Sequence, residues 1–580
     1  MTHMFYHTPT MNSLSSHEHF SKADLRRDLI NDLPCELLQD IFAIVVSTED
    51  DEEGVPRKHA SQFSLSLVCK QWRDLIEACP TLWTCVSITD FSPDHPVCYP
   101  AKVGSSPQST FPKLARILER SLNCDIDVKV DIWAPPNVPL DFQEVVIYCS
   151  QHCEGHPPFS FSSEHSRSLS LLLSAHAHRI RSLNVITRDW TTQVDLFSAF
   201  INKPMPRLQY LRLRHDNLDI TNEGLTLMKY PGHPSLPLEQ WHSATYPSLR
   251  SFSVQGMPLG SFSFCGGIHN LQLVGLPSDN LPTPSELRLA LSNLVDTLEI
   301  LSLVCAVRDV EDSPVPKEHI TLPNVHMFSL GYGRTIKEVE LILQFLDIPT
   351  VRDLSIKDCH IAPLSASDGA FSHIMKRLPL HQIASLKLSK IRFEVRGDYI
   401  TSQDVLDGKF DSEEDLPTPL RFIRKLTTVK QLSVNSPCPL FMYFATYPQT
   451  LRGDDEITLD DLARLINFST VETMNIEADN WEIRDWDPAL TFLHNRFQWP
   501  SAQDGVYHGV VMNRLHIMLP YKLSEVSHFM HPSLEDVIEN QYSQLAEDFD
   551  LKWVLDDDDI DKGGNVSFGL CLDDMTESEA

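Results

Sequence analysis

The chain has 580 residues, 42% hydrophobic and 22% charged, with 79 acidic against 48 basic side chains and a formal charge of −31. That length holds several domains or one elongated repeat domain, and the apolar fraction excludes wholesale disorder. So negative a chain repels phosphate backbones and anionic lipid, so neither a nucleic-acid nor a membrane partner is expected. No segment reaches the roughly 20 apolar residues that span a bilayer. The N-terminal segment MTHMFYHTPTMNSLSSHEHF lacks the basic start and apolar centre of a secretory signal. The 13 cysteines are scattered and odd in number, which favours reduced thiols and a cytoplasmic or nuclear location.

Residues 1–27 are polar with few apolar anchors and read as a disordered N-terminus. Residues 28–90 read as a helical module. Leu33, Leu37, Leu38, Ile41 and Phe42 recur at helical spacing, with Pro34 in the first turn and Asp32 and Glu36 at the positive helix end. An acidic insert over residues 47–62 separates this helix from a second one, expected over residues 63–77, with Leu67, Val68, Trp72, Leu75 and Ile76 on one side. Pro80 blocks continuation, and Leu82 and Trp83 add two apolar anchors. Pieces this short bury little alone, so their apolar faces call for a partner.

The blocks Leu33-Pro34-x-Glu36-Leu37-Leu38-x-x-Ile41-Phe42, Leu67-Val68-Cys69-Lys70-x-Trp72-Arg73 and Pro80-x-Leu82-Trp83 together resemble the F-box, most of all that of proteins abundant in mushroom-forming fungi. The resemblance implies a module that docks a Skp-type adaptor and through it a cullin ubiquitin ligase. It assigns Leu33, Pro34, Leu37, Leu38, Ile41, Phe42, Leu67, Val68, Trp72 and Trp83 to the adaptor interface and the small core behind it, without separating the two.

Residues 91–165 form an irregular, proline-broken lead-in. Within it residues 111–122 look helical, with Leu114, Ile117, Leu118 and Leu122 on one side, and Cys124-x-Ile126-x-Val128-x-Val130-x-Ile132 alternates as a half-buried strand. Over residues 166–480 an apolar triplet with spacing x-x and then x recurs ten times. Its members are Ile180-Leu183-Val185, Leu208-Leu211-Leu213, Leu249-Phe252-Val254, Ile268-Leu271-Leu273, Leu298-Leu301-Leu303, Val325-Phe328-Leu330, Val351-Leu354-Ile356, Ile383-Leu386-Leu388, Val429-Leu432-Val434 and Val471-Met474-Ile476. The last two members alternate as a strand does, and the first sits on the turn leading in. Amphipathic helices fall between several of them, at Leu287, Leu291 and Leu294; at Val339, Ile342, Leu343 and Leu346; at Phe371, Ile374, Met375 and Leu378; and at Leu459, Leu462, Leu465 and Ile466, where Thr458 and Asp461 form a cap. One strand and one helix cannot bury their apolar sides alone, but stacked units can.

This pattern resembles leucine-rich repeats. The fold class expected is therefore α/β: a small helical F-box module followed by an irregular strand–helix, leucine-rich-repeat-like solenoid. The spacing of roughly 19 to 46 residues between middle members exceeds the regular 20–29, which implies inserted loops such as residues 396–419. Cys359 fits the Asn/Cys position of the repeat, with Asp216 and Asp479 as polar substitutes. Residues 481–545 are expected to cap the array, with Leu515-x-Ile517-x-Leu519 as a last strand and Trp481, Trp486 and Trp499 packing its end. Residues 546–580 read as a solvated acidic tail.

Candidate chemistry is sparse. Asp557, Asp559 and Asp561 have calcium-loop spacing, but Lys562 and Phe568 stand where the loop needs Gly and Glu. Cys149, His152, Cys153 and His156 cluster without zinc-ligand spacing, and His176 with His178 read as structural histidines. Cys69 reads as a small residue in a helix interface. No phosphate loop, nucleophile elbow or ordered triad is present in the sequence. No catalytic residue, metal or cofactor is expected, and the chain is read as not an enzyme. The function expected is substrate recognition in a Skp–cullin–F-box ubiquitin ligase, with an unknown protein substrate on the repeats. The net charge points weakly to a basic one. The alternative is a protein-interaction scaffold without ligase coupling.

Overall fold

A computed structural model describes residues 33–47, 62–89, 106–132, 161–187, 190–200, 203–215, 246–257, 267–277, 281–308, 318–333, 337–359, 368–391, 418–435, 470–477, 514–519, 552–555 and 566–571. Residues 1–27, most of the insert at 47–62, Cys149 to His156, Leu459 to Ile466, residues 396–417, the three tryptophans after Met474 and Asp557 to Asp561, for which the sequence sets expectations, lie outside them. The chain divides into two units, Met1–Cys85 with Ile117–Cys124 and Val86–Arg116 with Asp125–Ala580.

The first unit is helical. It holds α1 (Cys35–Ser47), α2 (Gln62–Ser66), α3 (Lys70–Ala78), a short 3-10 helix (Pro80–Trp83) and the end of a helix numbered α5 below. The single second helix expected over residues 63–77 is in fact two. Leu67 and Val68 form a turn, and Cys69 is extended (φ −156°, ψ 171°) with its Sγ accepting from the Trp72 amide at 3.4 Å. The thiol caps the new helix in the way a hydroxyl usually does. Arg73 Nε donates to the Ser66 carbonyl at 3.0 Å and clamps the two pieces together.

The second unit is mixed α/β, built on a large sheet. Its helices are α4 (Pro107–Thr110), α5 (Pro112–Arg120), α6 (Ser163–Ser174), α7 (Trp190–Ser198), α8 (Pro284–Ser292), α9 (Lys337–Phe345), α10 (Asp368–Arg377) and α11 (Thr418–Lys425). The strands are β1 (Cys85–Thr89), β2 (Ile126–Ile132), β3 (Ile180–Thr187), β4 (Tyr210–His215), β5 (Ser251–Gln255), β6 (Asn270–Val274), β7 (Ile300–Val304), β8 (Ile320–Thr321), β9 (Met327–Tyr332), β10 (Leu346–Asp347), β11 (Asp353–Asp358), β12 (Ser385–Ser389), β13 (Gln431–Asn435), β14 (Thr473–Glu477), β15 (Arg514–Leu519), β16 (Lys552–Leu555) and β17 (Val566–Cys571). The sheet runs in chain order from β1 to β15, with β8 and β10 set aside as a separate parallel pair, and closes with β17 and then β16.

From β2 to β15 every documented pairing is parallel. The middle triplet members lie on one line of register, Leu183–Leu211–Phe252–Leu271–Leu301–Phe328–Leu354–Leu386–Leu432–Met474–Leu515. Alternation follows from the pleat, since successive side chains point to opposite faces. From Ile180 to Met474 the triplet positions are buried and the residues between them are mostly not. From Leu208 onward the first member of each triplet sits two residues ahead of its strand and is buried too.

Two recurring backbone devices hold the turns. One carbonyl accepts two successive amides of the next unit: Gln209 O takes Arg250 N and Ser251 N, both at 2.9 Å, and Ala384 O takes Lys430 N at 2.7 Å and Gln431 N at 3.0 Å. A threonine just before the triplet donates its hydroxyl to the carbonyl of the preceding triplet's first member. Thr297 reaches Ile268, Thr350 reaches Val325 and Thr428 reaches Ile383 at 2.9 Å each, and Thr470 reaches Val429 at 2.7 Å. Three of the anticipated helices are present as α8, α9 and α10, and α8 packs on α9, α9 on α10 and α10 on α11. Phe371 and Phe422 join the last pair edge to face at 4.6 Å. At α8 the Thr283 hydroxyl and Glu286 carboxylate form a reciprocal cap around Pro284.

Three local departures have physical causes. Helix α5 stops at Arg120, so Leu122 leaves the apolar stripe, takes a left-handed φ of 47° and is 63% exposed, while Leu114, Ile117 and Leu118 are buried as expected. Strand β2 joins the array although it lacks the x-x lead-in. Its one-residue deficit is absorbed by a register shift between Ile126 and Asp127, opposite Arg181. The expected solvated tail contains β16 and β17, antiparallel strands that coincide with its apolar interruptions, Trp553-Val554-Leu555 and Val566-x-Phe568-x-Leu570.

Candidate functional site

Helix α1 carries two adjoining apolar stripes. Leu38 and Phe42 are 0% and 1% exposed, whereas Leu37, Ile41 and Ile44 are 50%, 37% and 59% exposed at i, i+4 and i+7. A helix in the first unit needs only one stripe for its own core, where it packs on α3 and the 3-10 helix. The second stripe is surplus to folding.

The inner stripe has a well-defined setting. Phe42 meets the half-buried Trp72 with ring centroids 4.7 Å apart and planes at 59°. Trp83 is fully buried, its indole N–H donating to the Ile76 carbonyl at 2.8 Å, and the Arg120 guanidinium lies 4.5 Å above its ring while bonding Glu77 at 2.7 Å. Ile76 and Leu82 complete the buried set.

The outer stripe has a companion in the α2–α3 turn. The Leu67 and Val68 amides bond the Ser64 and Leu65 carbonyls at 3.1 and 3.2 Å, so the backbone is satisfied while the side chains stand 76% and 59% exposed. Five of the ten large apolar side chains left exposed among the described residues therefore fall between Leu37 and Val68. An exposed apolar stripe at i, i+4 and i+7 is the kind of patch that marks interaction surfaces, whereas scattered single residues do not. Pro34 is exposed and Leu33 partly so, at the helix start, where the Pro34 carbonyl accepts from Leu38 N at 3.1 Å. There the Glu36 carboxylate is held below its usual range, first by its own backbone N–H and then by the Cys35 thiol, whose titration Glu36 in turn raises.

Of the ten residues singled out from the sequence, Leu38, Phe42 and Trp83 are buried, Trp72 packs against Phe42, Leu33 is partly exposed, and Leu37, Ile41, Leu67, Val68 and Pro34 lie open. Ile44 was missed. It stands one turn beyond Ile41 on the same stripe, and i+7 spacing from Leu37 is the signal that finds it.

Elsewhere the titratable groups serve the fold. Burial, then Arg179, then His178 depress His176 to about 4, so it is neutral near pH 7 and receives the Arg179 Nε–H at 3.3 Å. Cys359 is buried, its amide bonding the Tyr332 carbonyl at 2.7 Å. Its thiol is held down chiefly by a hydrogen bond with Cys305. Gly333 makes room for this pair, because a Cβ there would come 2.5 Å from Cys305 Sγ. Among the described residues no group of three His, Cys, Asp or Glu is arranged to hold a metal, and no helix is long and apolar enough to cross a membrane.

A family model described as F-box-like matches residues 30–89, the stretch that contains both apolar stripes. No curated protein matches the chain.

Proposed function

We propose that this chain, which carries an F-box-like domain at residues 30–89, is the substrate-recognition subunit of a Skp–cullin–F-box ubiquitin ligase. F-box domains generally bind Skp-type adaptors, and the observation that carries the reading is the surplus apolar stripe of Leu37, Ile41 and Ile44 with Leu67 and Val68 inside the matched domain. In this reading those five side chains enter the adaptor interface, and Leu38, Phe42, Trp72 and Trp83 form the core that presents them. The order of the three sequence blocks favours a fungal-type F-box.

The second unit is then a leucine-rich-repeat-like solenoid that holds the substrate. Support comes from middle triplet members in register from Leu183 to Met474, with helices packed in sequence order beside them. The chain performs no bond chemistry of its own. It raises the concentration of a bound protein beside a ubiquitin-charged enzyme that the cullin recruits. Its place of action is the cytoplasm or nucleus.

The test is capture of a purified Skp-type adaptor by the full chain. Leu37→Glu combined with Val68→Glu is expected to abolish capture without loss of helical signal. Capture that survives this pair overturns the assignment. Trp72→Ala is a poorer test because it strips the support of Phe42.

A further inference from the structure

Two cysteines that the proposed function leaves unused meet inside the second unit. Cys305 follows β7 and Cys359 follows β11, with β9 between the two strands. They are 3% and 8% exposed and share one buried apolar cluster with Val304. A Cβ placed on Gly333, just after β9, would stand 2.5 Å from Cys305 Sγ and 3.6 Å from the Cβ atoms of both cysteines. The thiols therefore meet across a residue that has no side chain, and a hydrogen bond joins them.

Cys305 also holds a backbone position that suits glycine. Gly256, Gly275, Cys305 and Lys390 each follow directly on a strand, with left-handed φ angles of 68°, 60°, 51° and 56°. Each donates its amide to the next strand, at the Val274, Val304, Gly331 and Asn435 carbonyls, over 2.9, 2.7, 3.1 and 2.9 Å. Glycine makes this turn freely, and an L side chain makes it with strain. Lys390 is partly exposed, so its side chain has room, whereas Cys305 is buried and puts its Sγ in the space that Gly333 leaves. A strained cysteine set over a glycine is a poor way to fill a core and a direct way to hold two thiols together.

The surroundings make Cys359 the thiol that reacts first. The hydrogen bond with Cys305, and after it the charge of Lys357, favour its thiolate, while burial and the carboxylates of Asp358 and Glu338 act against it. The thiolate attacks one oxygen of a peroxide and the O–O bond breaks. From hydrogen peroxide this leaves a sulfenic acid on Cys359 and a hydroxide, which takes up the proton the thiol released. The Cys305 thiol then attacks the Cys359 sulfur. The S–S bond forms, the S–O bond breaks, and the hydroxyl leaves as water with the Cys305 proton. The two thiols are oxidised by two electrons and one hydrogen peroxide is reduced to two waters. A dithiol reverses the step by exchange.

We propose that Cys305 and Cys359 form a reversible disulfide when the chain meets a peroxide, a redox clasp that ties the turn after β7 to the turn after β11 across β9. A hydrogen bond between sulfurs is longer than the about 2.05 Å of an S–S bond, so closing the clasp draws the two turns together over Gly333. Three successive strands are then tied by a covalent bond, and an opening that parts either neighbour from β9 is restrained. In a reducing compartment such a bond is transient, which suits a sensor rather than a permanent staple. The clasp rests on the geometry of the second unit alone and stands whether or not the chain serves a ligase.

The experiment exposes the full, reduced chain to hydrogen peroxide. Remaining thiols are alkylated, the chain is digested without reduction, and linked peptides are read by mass spectrometry. The expected product joins Cys305 to Cys359, with a loss of both thiols that dithiothreitol restores. The same dose given to the chain unfolded in urea should scatter pairings among the 13 cysteines. Cys305→Ser should leave Cys359 as a sulfenic acid that dimedone traps, whereas Cys359→Ser should leave Cys305 reduced at that dose. Should either variant fail to fold, the linked peptide is still read on the parent chain. In the oxidised chain the Cys305 and Cys359 amides, which bond the Gly331 and Tyr332 carbonyls at 3.1 and 2.7 Å, should exchange with solvent at least roughly tenfold more slowly. The inference falls if the folded chain gives no Cys305–Cys359 link, if both thiols stay open to alkylation while the exposed Cys35 and Cys85 are oxidised, or if the link forms and the exchange of these amides does not slow.

Discussion

Truncating Leu67 should separate binding from folding more cleanly than any other single change in the first unit. Its side chain is 76% exposed in a turn whose amides are already bonded. Fully burying a leucine contributes about 1.5–3 kcal/mol, so the exposed three quarters hold about 1–2 kcal/mol for a partner to recover. Leu67→Ala should then weaken adaptor binding by about five- to thirtyfold, while stability changes by less than about 0.5 kcal/mol. Phe42→Ala is the counterpart. That ring is 1% exposed and packed against Trp72, so its loss should cost about 3–5 kcal/mol and melt the module, reducing binding only as a consequence. Isothermal titration with a Skp-type adaptor and thermal melting of both variants measure the two quantities. The reasoning fails if Leu67→Ala melts the module as Phe42→Ala does, or if it leaves the adaptor affinity untouched.

Three further outcomes are expected. Thr428→Val keeps shape but removes a hydroxyl that donates to the His381 and Ile383 carbonyls at 3.0 and 2.9 Å, and chemical denaturation should report a loss of about 1 kcal/mol. Gly333→Ala places a Cβ 2.5 Å from Cys305 Sγ and should destabilise by about 1–3 kcal/mol, and part of that loss should return when Cys305→Ala is added. His176 has a folded value of about 4 against an ordinary 6.5, so the unfolded chain takes up its proton first. Its contribution is whole above about pH 6.5 and declines as pH falls towards 4. The melting temperature should drop less over that window in His176→Gln than in the parent chain.

The parts of the fold legible in the sequence are those where one period dominates. The two-residue period of the triplets placed ten strands, because a buried sheet face tolerates no slip of one residue. The helical period placed α1, α8, α9 and α10 for the same reason. What escaped has short-range or unusual chemistry. A cysteine as helix cap left the break at Leu67–Val68 hidden inside an unbroken apolar run. Strand β2 was readable as a strand but not as a member of the array, since it is one residue short of the pattern and a bulge at Arg181 of β3 takes up the difference. In the candidate site, spacing put Leu37, Leu38, Ile41 and Phe42 on one side of a helix. Neighbouring positions on a helix differ by about 100°, so a broad stripe in the sequence holds an inner and an outer half that only packing distinguishes.

The threonine clasps have a consequence for how such a chain can change. Each one fastens a turn to its immediate predecessor and takes nothing from the intervening stretch. That stretch is free to grow or shrink, and lengthening a surface excursion adds little entropy cost once its ends are pinned. New surface can therefore be added at each junction without moving a strand, which lets the contour of the protein diversify while its hydrogen-bonded frame stays fixed.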